Sequence, residues 1–300
     1  MDNVVLSIVF ITMNRKLQLA DAIQSCIEAD LPKDYEIVVV DNGSTDGTEE
    51  HITKLFSNVN IRYYKQDTNL GIGGGRNKGV DLAKGQFVYI LDDDAVINPK
   101  YKDNLFHSSI SMFNADPSIG AITTRVYDEK LGRYRESRKG KSYKKENPIV
   151  LMVHGNTHFI RKGLSEVEYC PTIKYGFEDL YASIRIDDAG YKVVLNENVE
   201  TIHKPLVDKW SANSPYRNDT VIKEIAGKLT VKSMLFYDIY KPILLLAAFV
   251  RTKKTLGLKS GDFRKVLSLY KEQVRRTKVK KISVNTFFFL IKEYGISAVV

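Results

Sequence analysis

The chain has little cysteine and no long apolar segment, and these two shortages exclude several classes of protein. Its two cysteines, Cys26 and Cys170, are not spaced as metal ligands and are too few for a disulfide framework. The uninterrupted apolar run from Pro242 to Val250 is nine residues long, whereas a membrane-spanning helix needs about 20. The N-terminus shows neither the basic start nor the cleavage site of a signal peptide. We therefore expect free thiols, no spanning helix and a cytoplasmic location.

The glycine-rich fingerprints of common nucleotide cofactors are also missing. Residues 12–15, Thr-Met-Asn-Arg, follow the first apolar run in place of the G-x-G-x-x-G of dinucleotide-binding folds. This argues against a hydride-transfer cofactor. A later glycine-rich segment, residues 69–75, is not followed by the Lys-Ser/Thr of a P-loop. The usual nucleic-acid-binding motifs are absent too, so we expect no nucleic-acid partner.

Positive charge is concentrated at the C-terminal end of the chain. Residues 1–250 contain 32 Lys and Arg against 33 Asp and Glu, whereas residues 251–300 contain 13 against 3. The net charge of +9 therefore arises in the last fifty residues. A basic appendage of this kind is typical of a segment that faces an anionic membrane or nucleic acid.

Strand and helix patterns alternate through the first hundred residues. The runs at residues 4–11 and 36–40 are almost entirely apolar, as expected for strands that are buried on both faces. Alternation at this spacing predicts a Rossmann-like, mostly parallel α/β sheet, in which the loops that follow the strands meet at one edge. We expect strands over residues 4–11, 36–40, 61–65 and 87–91, and helices over residues 16–29 and 48–56.

Three acids, Asp92, Asp93 and Asp94, directly follow the strand-like run that ends at Leu91. Adjacent like charges are costly unless a cation neutralises them, and carboxylate oxygens suit a divalent metal ion. Acids at the carboxyl end of a strand also lie where open α/β sheets bind ligands. On these residues alone a solvated surface turn is an equal alternative.

Two further loops could contribute to a site at the same edge. Asp41 ends the second strand, where an acid can accept hydrogen bonds from a ribose or a base; the alternative is a turn that caps the next helix. Gly71 and the glycines at 73–75 would allow close approach to a ligand, and Arg76 adds a guanidinium that suits phosphate. The alternative is a flexible loop.

Four segments in this order resemble the family 2 glycosyltransferases. They are residues 5–15, 37–48, 69–79 and 91–95, and the resemblance extends over about residues 4–205. It implies the GT-A fold and an inverting transfer of sugar from a nucleoside-diphosphate donor. It also implies a Mn²⁺ or Mg²⁺ cofactor.

The resemblance assigns roles to individual residues of the nucleotide-sugar site. Thr12, Asn14 and Asp41 would contact the nucleoside, and Arg76 would lie near the base or the diphosphate. Asp92 and Asp94 would form the D-x-D pair, with Asp94 on the metal ion. The implied nucleotide-sugar site comprises Thr12, Asn14, Arg15, Asp41, Gly71, Arg76, Asp92 and Asp93, and the implied metal ligands are Asp94, Asp92 and His203.

The resemblance also implies a catalytic base. In the family, a Glu-Asp pair at this distance beyond the D-x-D motif deprotonates the acceptor hydroxyl, which would make Asp179 the base and Glu178 its neighbour. Family members read Glu-Asp-x-Asp/Glu-Leu, whereas residues 178–182 read Glu-Asp-Leu-Tyr-Ala, without the third acid. From the residues alone, acids that open a helix can simply stabilise its dipole.

Residues 125–145 contain nine Lys and Arg, which predicts an exposed mobile loop that either is merely solvated or covers the site. From about Asp219 onward the pattern becomes helical, and the basic helices with the aromatic segment 287–291 suit in-plane membrane association. The alternative is a helical subdomain that packs on the core or on a second subunit. We expect a catalytic domain over residues 1–215, with a nucleotide-sugar half (1–98) and an acceptor half (99–215), and a membrane-associating region over 216–300.

The sequence thus predicts a non-processive glycosyltransferase on the inner face of a membrane. Its donor would be UDP- or dTDP-linked and its acceptor a glycan or a lipid-linked sugar; a homo-oligomer is possible. Processive synthases of the family carry Gln-x-x-Arg-Trp, but here Trp210 follows Asp208-Lys209. Two alternatives remain open, a non-catalytic GT-A-like partner that docks another enzyme, and a sugar-nucleotide pyrophosphorylase.

Overall fold

The apolar strands of the first ninety residues form the parallel half of a single sheet. A computed structural model of the chain describes residues 4–164, 168–170, 172–173, 176–207, 214–257, 260–275 and 279–299. Strand β1 is paired in parallel with both β2 and β4, and β2 is paired in parallel with β3. The strands are β1 (Leu6–Thr12), β2 (Tyr35–Asp41), β3 (Ile61–Lys65) and β4 (Phe87–Asp92).

The second half of the sheet is mixed. Strand β8 is antiparallel to both β4 and β6, whereas β6 and β9 are parallel. The strand order is β3-β2-β1-β4-β8-β6-β9-β5, with β7 beside β6. The strands of this half are β5 (Ala95–Ile97), β6 (Ile119–Asp128), β7 (Arg133–Tyr134), β8 (Thr157–Arg161) and β9 (Lys192–His203).

In the described part of the chain, five helices flank the sheet, and α1 shows how local packing modifies a periodic pattern. The helical pattern of residues 16–29 predicts Leu17 as a core position, and this prediction is wrong, because the Leu17 side chain is 60% exposed. The helix instead buries Leu19, Ala22, Ile23 and Cys26, which recur every three or four residues. The helices are α1 (Lys16–Ile27), α2 (Thr48–Leu55), α3 (Gly71–Leu82), α4 (Leu105–Ala115) and α5 (Glu178–Asp188).

The glycine-rich segment is a helix rather than a flexible loop. Helix α3 begins at Gly71, so the glycines at 73–75 lie inside it. A Cβ atom at Gly73 would lie 2.4 Å from the carbonyl oxygen of Cys170, and one at Gly79 would lie 2.3 Å from Val9 Cγ1. These glycines therefore allow α3 to pack closely on its neighbours.

The C-terminal helices pack on one another and on α5. One buried cluster joins Tyr181 and Ile184 of α5 to Leu235 and Leu290, and another joins α6, α7 and α8. The aromatic segment 287–291 is only partly exposed, since Phe288 is 62% exposed but Phe287 and Leu290 are buried. The helices are α6 (Arg217–Leu235), α7 (Lys241–Leu256), α8 (Ser260–Val274) and α9 (Val284–Tyr294).

Among the described residues, no helix combines the length and the apolarity that crossing a membrane would require. Trp210 and its neighbours Asp208 and Lys209, which bear on processivity, lie outside the described residues. The boundary expected near residue 215 stays a prediction.

A short ladder fixes the chain just after the acid triplet. Strand β5 is antiparallel to the end of β9, and Ala95 is the register partner of His203. The amide of Lys204 also donates to the carbonyl oxygen of Asp94 at 2.7 Å. Main-chain pairing therefore places the residue after the triplet opposite His203.

Candidate active site

A cleft of about 430 Å³ opens where β1, β4 and β9 end. The start of α3 and residues 205–207 complete its walls. The loops that follow the strands thus meet at one edge of the sheet, as the alternation of strands and helices predicted. The predicted site residues that line the cleft are Thr12, Arg15, Gly71, Asp92, Asp93, Asp94 and His203.

Arg15 neutralises two acids of the triplet. Its Nη1 atom donates to Asp93 Oδ1 and to Asp94 Oδ2, both at 2.8 Å. Thr12 Oγ1 donates to the second oxygen of Asp93, also at 2.8 Å. Burial raises the pKa of Asp93 to about 7, although Arg15 opposes the shift. Burial acts in the same direction on Asp94, but the hydrogen bond and charge of His203, together with Arg15, lower the pKa of Asp94 to about 2.

His203 faces Asp94 and is held from behind by another acid. Its Nε2 atom lies 3.5 Å from Asp94 Oδ1, and its Nδ1 atom lies 2.9 Å from Asp128 Oδ2. A carboxylate at Nδ1 orients the ring and, with a metal ion bound at Nε2, would favour the tautomer that is protonated at Nδ1. Arg135 Nη2 lies 2.9 Å from the same Asp128 oxygen and keeps this buried carboxylate neutralised.

The donor set around Asp94 fits a divalent cation that is shared with a ligand. A carboxylate and an imidazole face each other there; the carboxylate suits both Mn²⁺ and Mg²⁺, whereas the imidazole suits a transition-metal ion such as Mn²⁺ better than Mg²⁺. Asp92 differs, because Arg76 Nη2 donates to its Oδ1 at 2.8 Å and Asn156 Nδ2 to its Oδ2 at 3.1 Å. Within the described part of the chain no three His, Cys, Asp or Glu side chains form a metal site. The remaining ligands of such an ion would come from the diphosphate and water.

Arg76 links the two acidic motifs that the sequence singled out. The side chain is 1% exposed. Its Nη1 donates to Glu178 Oε1 at 2.8 Å, and its Nη2 donates to Asp92 and to the carbonyl oxygen of Gly155 at 2.7 Å. These partners account for its position without a nucleotide, so its contact with base or diphosphate stays a prediction.

Asp179 lies beside this network at the start of α5. A Cβ atom at Gly155 would lie 3.1 Å from Asp179 Oδ2, so the absence of a side chain there leaves that oxygen room. Burial and, next, the charge of Glu178 raise the pKa of Asp179 to about 7, against the opposing charge of Arg76. A carboxylate with this pKa is suited to take up a proton near neutral pH.

Asn14 and Asp41 organise the loops behind the cleft. The side-chain oxygen Oδ1 of Asn14 accepts from the main-chain amide of Thr45 at 2.8 Å. The main-chain amide of Asn14 donates to Ser44 Oγ at 2.8 Å. Asp41 is fully buried; it accepts from the amide of Ser44 at 2.7 Å and from the Tyr63 hydroxyl at 2.6 Å. The nucleoside contacts expected of both residues stay predictions.

The sequence reasoning missed Asp128, Arg135 and Asn156. Residues 125–145 were expected to form an exposed mobile loop, which is wrong for residues 125–128, because they end strand β6. Arg135 follows β7, lines the cleft and donates to Asn156 Oδ1. The only sequence signal was the density of charge, which does not distinguish a solvated loop from the wall of a cleft.

Comparison with known proteins gives the family and the fold. A family model described as "Glycosyl transferase family 2" matches residues 7–167. The "GalNAc(5)-diNAcBac-PP-undecaprenol beta-1,3-glucosyltransferase" of Campylobacter jejuni is 32% identical over 148 residues, which are 48% of this chain and 45% of the relative. The "Chondroitin synthase" of Escherichia coli is also 32% identical over 148 residues, which are 49% of this chain and 21% of that protein. The chain thus spans less than half the length of these relatives.

Solved structures with low sequence identity share the fold. S. aureus TarS 1–349 in complex with UDP-GlcNAc superimposes with a TM-score of 0.63 at 16% identity, over 90% of this chain and 81% of TarS 1–349. The mannosyltransferase PcManGT from Pyrobaculum calidifontis, in complex with GDP-Man and Mn²⁺, gives 0.59 at 17% identity, over 96% and 79%. The mixed sheet with its flanking helices is the GT-A fold. With more than half of its length matched by the family model, the chain belongs to glycosyl transferase family 2.

Proposed function

We propose that this chain is an inverting, non-processive glycosyltransferase. It transfers one or a few sugars from a UDP or dTDP donor to a hydroxyl of a glycan or lipid-linked acceptor. The observation that carries the proposal is the bridge from Asp92 through Arg76 to Glu178, which connects a residue of the cleft to the acid pair at 178–179. The name of the Campylobacter jejuni relative, which gives an undecaprenol-linked acceptor, supports the acceptor class.

Asp179 is the base of the proposed reaction. Its carboxylate accepts the proton of the acceptor hydroxyl, the hydroxyl oxygen forms a bond to the anomeric carbon, and the bond from that carbon to the diphosphate breaks. A single displacement of this kind inverts the configuration. Glu178 Oε2 has no hydrogen-bond partner among the described residues and is available to orient the acceptor.

The other side of the cleft holds the donor in this proposal. Arg15, Thr12 and the N-terminus of α3 at Gly71 face the space for the nucleotide, and helix N-termini favour phosphate. Asp94 and His203 would hold Mn²⁺ or Mg²⁺. Such an ion stabilises the negative charge that grows on the departing diphosphate.

Calorimetric titration of UDP, dTDP and GDP, each with and without Mn²⁺, tests the proposal. We expect the wild-type protein to bind UDP or dTDP in a Mn²⁺-dependent manner and Asp94→Ala to lose that binding. Asp116→Ala is the control, since Asp116 is a partly exposed acid that pairs with Lys192. Failure of all three nucleotides to bind would contradict the catalytic proposal and favour a docking role.

Formation of a nucleotide sugar from a sugar phosphate and a nucleoside triphosphate would instead favour the alternative function, a sugar-nucleotide pyrophosphorylase.

We also propose that the protein works at the cytoplasmic face of a membrane and that residues 216–300 mediate its attachment to that membrane.

A further inference from the structure

A second groove lies between α6 and α7, and it shares no lining residue with the cleft. Its volume is about 520 Å³. The walls are apolar and include Ile225 and Leu229 from α6 and Leu244 and Ala248 from α7. Such a groove is suited to a hydrocarbon chain rather than to a sugar or a nucleotide.

The outer face of α7 continues this apolar surface into solvent. Ile243, Leu246 and Val250 line the groove and remain 48%, 61% and 53% exposed. Their spacing of three and four residues places them on one side of the helix. A contiguous exposed apolar stripe on a soluble surface marks an interaction site.

Cations surround the apolar surface. Lys228 and Lys232 lie one helical turn apart on α6, and Arg251 and Lys254 line the groove from α7. Burial, followed by the charges of Arg251 and Arg138, lowers the pKa of Lys228 to about 8, with Glu224 opposing. Burial, followed by the charges of Lys228, Arg138 and Arg251, lowers the pKa of Lys232 to about 6.

These cations repel one another, and a bound anion would relieve the repulsion. Lys232 donates to the carbonyl oxygen of Ser297 at 3.1 Å, which fixes its ammonium group at the edge of the groove. Arg138 donates to Ser297 Oγ at 2.7 Å, so its charge is held near the same point. Lys228, Arg251 and Arg138 therefore supply positive charge beside an apolar channel, whereas Lys232, with its lowered pKa, contributes little charge near neutral pH.

We infer that this groove binds one anionic phospholipid, with the headgroup phosphate beside Lys228 and Arg251 and an acyl chain along α7. Charge complementarity and the apolar walls together favour an anionic amphiphile, because a free phosphate would leave those walls in water. The inference deepens the proposed membrane attachment and is independent of the transfer reaction. It places the contact at α6 and α7 rather than at residues 287–291, where Phe287 and Leu290 are buried.

Vesicle co-sedimentation of the full chain tests this site. Two vesicle types are used, phosphatidylcholine alone and phosphatidylcholine with phosphatidylglycerol in equal parts. The test variant is Lys228→Gln with Arg251→Gln. The control is Lys253→Gln with Lys265→Gln, which removes the same charge from exposed positions outside the groove. Leu246→Asn probes the apolar stripe, and Arg251→Gln alone serves if the double variant does not fold.

We expect the wild type to bind the phosphatidylglycerol vesicles and not the neutral ones. The test variant should partition about 30-fold more weakly, since each basic residue near such a surface contributes about 1 kcal/mol. Leu246→Asn should also weaken binding, and the control should retain most of it. Equal losses in test and control variants would show diffuse attraction and overturn the inference, as would binding to neutral vesicles or to neither type. Nucleotide binding is measured separately, so failure of this inference leaves the proposed transfer reaction untouched.

Discussion

Arg76 donates to Glu178 at 2.8 Å across 102 residues of sequence, and both side chains are buried. The same guanidinium binds Asp92 at the edge of the cleft. The acid at the end of β4 and the first turn of α5 thus share one cation. Because buried carboxylates need such a partner, the position of α5 relative to the cleft depends on this side chain.

Replacing Arg76 by Ala should destabilise the fold strongly. Removing one partner of a buried ion pair leaves uncompensated charge and costs about 3–5 kcal/mol. Urea unfolding followed by circular dichroism measures this loss. Lys139→Ala is the control, since Lys139 and its partner Glu197 are each 48% exposed and such pairs contribute at most about 1 kcal/mol. Equal losses in the two variants would show that the bridge is not structural.

Replacing Asp179 by Asn should abolish most of the transfer while nucleotide binding is retained. A positioned general base contributes about 10²- to 10⁴-fold to the rate, and an amide cannot accept the proton. Initial rates and calorimetric binding of UDP separate the two effects. Asp219→Asn, at an exposed acid on α6, is the control. Unchanged transfer by Asp179→Asn would assign the base elsewhere.

The transfer rate of the wild type should rise with pH. Asp179 must be ionised to act as a base, and its pKa is raised to about 7. The rate should therefore be low in acid, increase as the pH passes through about 7 and level off above it. A rate that is already at its plateau near pH 5 would show that the reacting base has an ordinary carboxylate pKa.

Replacing Asp128 by Asn should weaken Mn²⁺ binding without removing a proposed ligand. Asp128 holds His203 through Nδ1 at 2.9 Å, and loss of such a supporting carboxylate typically costs 10- to 100-fold in metal affinity. Titration of Mn²⁺ in the presence of UDP, followed by calorimetry, gives the affinity. Asp116→Asn is the matched exposed control. Equal affinities in wild type and Asp128→Asn would contradict the role of His203.

Replacing Gly73 by Ala should destabilise the packing of α3. The new Cβ would lie 2.4 Å from the Cys170 carbonyl oxygen, and the overpacking should cost about 1–3 kcal/mol. At Gly261 in α8, a Cβ atom would meet no other part of the described chain within 4 Å, apart from its own helix backbone and adjacent residues, so Gly261→Ala should be neutral or stabilise by up to about 1 kcal/mol. Thermal unfolding of both variants compares them. Equal melting temperatures would show that α3 can shift freely.

The parallel half of the sheet was predictable because three of its four strands, β1, β2 and β4, are buried on both faces. Residues such as Val9, Val38 and Ile90 are apolar for that reason, and the acids that follow the strands stand out against them. The local sequence is therefore sufficient to predict both the strands and the acids that follow them at the edge of the cleft. The membership in a glycosyltransferase family and the GT-A fold followed from these same segments and are confirmed.

The features that were missed depend on partners distant in sequence. The glycines of α3 were expected to allow close approach to a ligand or to form a flexible loop, because their close contacts, with Val9 and Cys170, lie many residues away. Asp128 was assigned to a charged loop. Its place at the end of a strand depends on pairing with His203, which lies 75 residues further on. Hydrophobic periodicity describes a segment by itself and carries no record of such pairings.

The register pairing of Ala95 with His203 has a consequence for the selectivity of the cleft. Asp94 and His203 are attached to adjacent rungs of one ladder, so their relative position is set by main-chain hydrogen bonds rather than by a mobile loop. In the proposed site, a cation that bound between them would meet a pair of side chains that needs little rearrangement. Discrimination between ions of different radius would then rest on the stiffness of the ladder, and a substitution that loosened β5 would broaden the range of ions accepted.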